Sequence, residues 1–392
     1  MSGQSQPKVS RRPPRLDAGG YIELSLWAAA WVVAPFYVVP RGLPQIYDWT
    51  LVALFAGMVA AGRLMLVDRA RGPLSALGMF IGYAMLVGCA WAAITGAWAF
   101  LVPALYYAFN LAVVLTALSL HHRWQGAFLR VTLWSWAISL VVQAILVTVM
   151  PAGYHGVRGL AFFNNPNQLA IFGVAGAVLV VQLARKIKVS AAVEYGLLIA
   201  CGVLVVSSAS RAGVLAYVAL AATRFLSRPG TIVATTVVAV LLALYFPWEL
   251  LPIDFVEDRM RSSVAESTSS LARERGYARM IEYPEYMLLG AGEGLEERFG
   301  QRIEIHSTPG TLLFCYGVAG AGFFVAACFA VYRRAGSAET LLLLPLLVLS
   351  LFHHTLRVRF FWLNLAVALM SAVGAARARP RRARRGDGVP GG

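Results

Sequence analysis

Runs of about twenty apolar residues recur from residue 21 to residue 375, and each is long enough to cross a bilayer as a helix. That repetition limits the chain more than any other feature. A bilayer interior offers no water to unpaired backbone groups, so a spanning segment must be a helix or part of a closed barrel. The short alternating segments of a barrel are missing. The chain therefore reads as an all-α polytopic membrane protein with about twelve transmembrane helices. The expected spans are 21–39, 49–67, 75–95, 99–120, 128–150, 167–184, 191–206, 213–226, 231–248, 310–332, 341–351 and 360–375. The weakest boundary is the short, uncharged Gly96-Ala97-Trp98 break. Only 14% of residues are charged, where a soluble domain carries about a quarter.

One excursion interrupts the pattern. Residues 249–309 form a polar segment with 12 of the chain's 19 acidic residues, seven arginines and no lysine. It ends in Glu304-Ile305-His306-Ser307-Thr308-Pro309, where the chain re-enters the bilayer. The expected organisation is a basic, disordered N-terminus (1–20), spans one to nine (21–248), the large loop with short helices (249–309), spans ten to twelve (310–376) and a basic, disordered tail (377–392).

The net charge of +15 does not point to nucleic acid. Basic residues gather at both termini and in alternate short loops, as topology signals do. One side carries Arg11, Arg12, Arg69, Arg71, Arg123, Arg224, Arg228, Arg333, Arg334, the tail arginines and all three lysines. Both termini are thus expected in the cytoplasm, with the large loop outside. The terminal arginines suffice to bind anionic lipid headgroups, at about 1 kcal/mol per basic residue. Arg63 falls near the cytoplasmic end of the second span, within snorkelling reach. Trp27, Trp31, Trp49, Trp98, Trp248 and Trp362 are expected mostly at the interfaces. Cys89, Cys201, Cys315 and Cys328 lack metal-ligand spacing and read as buried apolar residues. The polar first twenty residues lead into a full-length span, unlike a cleavable signal peptide.

The outer side has fewer basic residues, and their placement suggests chemistry. Arg158 precedes Gly159 and the Asn164-Asn165-Pro166-Asn167 turn. Arg211 stands in a tight turn between the seventh and eighth spans, where it either faces a cavity or partner or snorkels to headgroups. Arg273, Arg275 and Arg279 lie in the large loop, on a helix expected over 269–283. A solvated charged face accounts for Arg279 and Glu282. His353, His354, Arg357 and Arg359 join the last two spans. The Gly290–Gly294 run fits no phosphate-loop spacing and follows no strand. Several arginines converging at a membrane surface suit a diphosphate, which guanidinium binds in bidentate fashion. A histidine can take a proton from an attacking hydroxyl. No Asp-rich metal motif is present, and the adjacent histidine pairs do not form a metal-binding helix face.

Four segments resemble the O-antigen ligase/polymerase family of polytopic bacterial glycosyltransferases. They are Arg158-Gly159 with Asn165-Pro166-Asn167; Ser210-Arg211-Ala212-Gly213; Arg273 four before Tyr277, leading to Leu289–Gly294; and His306 opening a span through Tyr316-Gly317-Val318-Ala319-Gly320. The resemblance implies a GT-C-like membrane enzyme of the bacterial inner membrane with a periplasmic active site. It implies a metal-independent, cofactor-free, inverting transfer of a glycan from undecaprenyl diphosphate, in the ligases onto lipid A-core. It places the catalytic histidine on His306 and the key arginines on Arg211 and on Arg273 or Arg275. Arg158, by its place among the outer arginines, is a further candidate diphosphate ligand. Ser307 stands where the family commonly has Asn, and Tyr277 where Trp is common.

The leading expectation is a lipopolysaccharide O-antigen ligase. A repeat-unit polymerase for O-antigen or exopolysaccharide is the alternative within the family. A protein O-oligosaccharyltransferase fits less well, because the chain is short. An exporter or flippase of lipid-linked glycans is the alternative of another class. It would favour ionisable groups near mid-membrane and repeated halves, and neither is visible.

Overall fold

A computed structural model describes residues 16–39, 43–65, 68–150, 158–227, 276–300 and 303–375. Among the described residues the chain is helical, with no strand. The main helices are α1 (Ala18–Val33), α2 (Ile46–Ala60), α3 (Arg71–Thr95), α4 (Val102–Trp124), α5 (Gly126–Val149), α6 (Pro166–Ile187), α7 (Ala191–Ser207) and α8 (Arg211–Ser227). The large loop contributes two short helices, α9 (Ala278–Glu282) and α10 (Tyr286–Leu289). After it come α11 (Thr308–Ala335), α12 (Ser337–Leu341), α13 (Leu344–Phe352) and α14 (Arg359–Ala375). The expected ninth span and most of the large loop lie outside the described residues.

Five of these segments are long and apolar enough to cross a membrane: α3, α4 with the short turn before it, α5, α6 and α11. The expected eleventh span is instead two short helices. At nine residues, α13 rises about 14 Å at 1.5 Å per residue, too little to cross alone. Gly96 does end α3, in a left-handed conformation (φ +72°). That break, though uncharged, is a real turn.

The central post is α6. From Leu169 to Leu183 its side chains are buried all round, as befits a helix enclosed by others. It packs on α5, α7, α8 and α14. Its start follows from local chemistry. Asn165 accepts the Gln168 backbone N–H at 2.9 Å, and Pro166 occupies the first turn, where no amide proton is needed.

Ionic contacts fix the two ends of the bundle. At one end Glu23 of α1, 6% exposed, accepts from Arg123 at 2.8 and 2.9 Å, from Trp124 at 3.0 Å and from Arg63 at 3.2 Å. Lys186, at the end of α6, pairs with Glu339 at 3.2 Å and bonds Ser371 late in α14. The starts of α2, α4, α6 and α14 meet at the other end around one cleft. Residues 17 and 371 thus lie at the same end of the bundle.

Three expectations are corrected. Arg63 follows α2 and pairs with Glu23 and Asp17 rather than snorkelling. A buried carboxylate within reach outbids headgroups. Trp27, Trp31 and Trp362 are fully buried; Trp27 donates to Thr132 at 2.9 Å. Trp49 and Trp98 do lie exposed. Distance from a span end does not reveal which helix face packs inward. Cys89 is exposed, whereas Cys201 and Cys315 are buried.

The glycine run of the large loop is a clamp. Gly317 (φ +66°) breaks α11 with a non-helical residue. That break releases the carbonyls of Phe314 and Cys315, which accept from Ala291 and Gly292 N–H at 2.9 Å each. The amides a phosphate cradle would need are therefore engaged. Trp91 donates to the Gly290 carbonyl at 3.0 Å and Tyr83 to that of Leu289 at 2.8 Å, tying the run to α3. A Cβ on Gly290 (φ +101°) would stand 2.5 Å from the Cys315 carbonyl oxygen. Gly290→Ala should thus destabilise the protein by about 1–3 kcal/mol, seen as a lower melting temperature in detergent. An unchanged melting temperature would contradict the clamp.

Candidate functional site

The clamp delivers Glu293 into the bundle between two left-handed glycines, Gly292 (φ +71°) and Gly294 (φ +112°). Its side chain is 4% exposed and heavily bonded. Tyr107 of α4 and Tyr316 of α11 donate to Oε2 at 2.5 and 2.6 Å. Arg357 reaches Oε1 with Nε and Nη2, both at 2.5 Å. His354 Nε2 stands 2.9 Å from the same oxygen. Burial alone would raise the Glu293 carboxyl. Arg357, and after it His354, outweigh that and hold it well below the usual carboxylate range. Desolvation works to lower the Arg357 guanidinium, but Glu293 and Glu304 win and raise it. The third nitrogen of Arg357 donates to Glu304 at 3.1 and 3.2 Å, so all three are engaged by carboxylates.

Arg357 and Glu304 also line the cleft, which has a volume of about 430 Å³. Arg359 lines it too, paired with Asp48 at 2.6 Å and donating to the Tyr47 hydroxyl at 2.6 Å. The α6 start contributes Asn164, Asn165 and Gln168; Tyr37 and Tyr106 add rings. A second hollow of about 290 Å³ shares Asp48, Val102, Tyr106 and Arg359 with the cleft. It is otherwise apolar, with Trp49, Val52, Leu105 and Phe109 among its walls.

The Arg158 and Arg211 motifs come together. Gly159 N–H donates to the Ser207 carbonyl at 2.8 Å. Arg158, 6% exposed, donates through Nε to the Ser208 carbonyl at 2.9 Å and through Nη2 to Asn167 Oδ1 at 3.2 Å. It thereby joins the α6 start to the α7–α8 turn. That turn is three residues long, with Ala209 left-handed (φ +48°), and delivers Arg211 half-buried at the first position of α8.

His306 lies exposed where the chain enters α11. Ser307 caps that helix by accepting Gly310 N–H at 3.0 Å. Thr308 donates to the His353 carbonyl at 3.2 Å and accepts Thr355 N–H at 3.0 Å. His306 is thus held beside the loop that carries His354 and Arg357. Arg273 and Arg275 lie outside the described residues. Their immediate continuation runs close to His306. A Cβ on Gly276 would meet the Ile303 and Glu304 carbonyls at 3.2 and 3.1 Å, and one on Gly310 would meet the Tyr277 ring at 2.9 Å.

The solvated face expected for Arg279 is corrected. Arg279 is 2% exposed, donates to the Ile303 carbonyl and sits over Phe299. Glu282 is exposed as expected. Sequence reasoning also missed Glu293, Tyr107, Tyr316 and the Asp48–Arg359 pair. The available signals were an acid flanked by glycines and an acid opening an apolar run.

No protein-family model matches the chain, and no curated protein matches it.

Removing one partner of a buried ion pair costs about 3–5 kcal/mol, so Glu293→Gln should lower stability at neutral pH on that scale. The folded pKa of Glu293 lies below the unfolded value of about 4.3. Its contribution is therefore fully present above about pH 4.3 and is lost as pH falls through the folded value. Denaturation of wild type and Glu293→Gln across pH should show the gap narrowing in acid. A gap that widens in acid would contradict the assignment.

Proposed function

We propose that the protein is an O-antigen ligase, a glycosyltransferase that moves a glycan from undecaprenyl diphosphate to a hydroxyl of lipid A-core. The observation that carries this reading is a convergence at one end of the bundle. Arg158 joins the Arg211 turn to the α6 start, and that start, together with Glu304 two residues before His306, lines a polar cleft that adjoins an apolar hollow. Such a hollow suits a carrier chain, and the polar cleft beside it suits the glycan that the carrier bears.

In this reading His306 is the general base. The acceptor hydroxyl oxygen attacks the anomeric carbon and its proton passes to His306. The bond from the anomeric carbon to the diphosphate oxygen breaks, and the diphosphate leaves on its carrier with the electron pair. Attack opposite the leaving group inverts the centre. Arg211, with Arg273 or Arg275, holds the diphosphate as its charge grows. Arg158 braces the turn that presents Arg211. The reaction would occur at the periplasmic face of the inner membrane.

Purified protein, lipid-linked glycan and lipid A-core should give a ligated product on a gel. A positioned general base contributes about 10²–10⁴-fold, so His306→Ala should lose activity on that scale. Arg211→Lys, which keeps charge but loses the bidentate fork, should also be impaired. Full activity in His306→Ala would overturn the base assignment. Elongation of the lipid-linked glycan without lipid A-core would select the polymerase.

A further inference from the structure

We infer that the cleft between the starts of α2, α4, α6 and α14 binds an uncharged, hydroxyl-rich sugar residue and not the diphosphate. The inference deepens the transfer reading above and rests on it for the identity of the whole substrate. Its basis is the charge and hydrogen-bond inventory of the cleft.

Two guanidiniums line the cleft, and at first sight they suit a phosphate. Each is already neutralised. Arg357 gives Nε and Nη2 to Glu293 and Nη1 to Glu304. Arg359 is held by Asp48 and the Tyr47 hydroxyl. Three carboxylates thus face two guanidiniums. An arriving diphosphate would have to compete with the half-exposed Glu304 and the buried Glu293 for Arg357, and with Asp48, 5% exposed at its side chain, for Arg359. Stripping a buried carboxylate of its partner is costly. One of the first-turn amides of α6 that could greet an anion is also engaged, since Asn165 Oδ1 accepts Gln168 N–H.

What remains suits sugar hydroxyls, which donate and accept at once. Gln168 Oε1 accepts Asn164 N–H at 3.1 Å, which leaves its Nε2 amide protons to donate. Asn165 likewise has its oxygen engaged and its amide nitrogen available. Glu304 is half exposed at 49% and keeps lone pairs beyond those given to Arg357. Donor amides and an acceptor carboxylate therefore line the same cleft as the half-buried rings of Tyr37 and Tyr106. Such rings offer an apolar face to the C–H side of a pyranose. The volume of about 430 Å³ lies within the range of ligand pockets and has room for a sugar residue. The adjoining apolar hollow sets the direction in which a lipid-linked glycan would leave the cleft toward the bilayer.

The test is saturation-transfer NMR of the full-length protein in nanodiscs with a panel of methyl glycosides, and with inorganic pyrophosphate as competitor. At least one glycoside should bind. Its affinity should fall about tenfold in Gln168→Ala, the effect of one hydrogen bond, and fall likewise in Tyr106→Ala. Unchanged melting temperatures would show that both variants are folded. Pyrophosphate should not compete. No binding by any glycoside, equal binding in wild type and both folded variants, or displacement by pyrophosphate would overturn the inference. Because no turnover is needed, glycoside binding in a protein that fails the ligation assay would sink the transferase reading and leave this one standing.

Discussion

The contact on which the polar end of this molecule depends is the ion pair between Glu293 and Arg357. Glu293 sits where water is scarce, so its charge is not tolerable without a partner. Glu293 collects two tyrosine hydroxyls, a histidine and a guanidinium. In doing so it ties α4, α11 and the α13–α14 loop to the end of the large loop. The glycine clamp on the kinked α11 makes this possible, because only a chain turning through left-handed residues brings an acid inward there. The same pair orients Arg357 toward Glu304, two residues before His306. Packing, electrostatics and the candidate chemistry therefore meet in one network.

A division of labour follows from the charges. In the cleft the guanidiniums are matched by carboxylates, which favours an uncharged ligand. On the Arg158 side, the guanidinium donates to a carbonyl and an amide oxygen and braces the α7–α8 turn. A glycan carried on a diphosphate joins a neutral sugar to a strongly anionic link, and in the proposed reading the cleft takes the sugar.

Much of this was legible in the sequence. Apolar runs report helix length directly, so α3, α5 and α6 fall within a few residues of their expected spans. The Asn165-Pro166 start of α6 and the turn before Arg211 are local chemistry and were equally readable. Other features depend on distant partners. The glycines on either side of Glu293 mark a turn but not its burial; its hydroxyl partner Tyr107 is 186 residues away and Arg357 64 residues away. Arg279 looked solvated because its burial depends on Ile303 and Phe299. The inward tryptophans were missed because helix-to-helix facing is a tertiary property. Arg273 and Arg275, central to the sequence reading, lie outside the described residues, and only their neighbours Gly276 and Tyr277 bring that segment near His306.

The most direct measurement is a cryo-EM structure with a non-hydrolysable lipid-diphosphate-linked glycan analogue. Diphosphate density beside Arg211, with a sugar in the cleft and Arg357 still on Glu293, is the expected result. Phosphate density on Arg357 or Arg359, with Glu293 or Asp48 displaced, would contradict it.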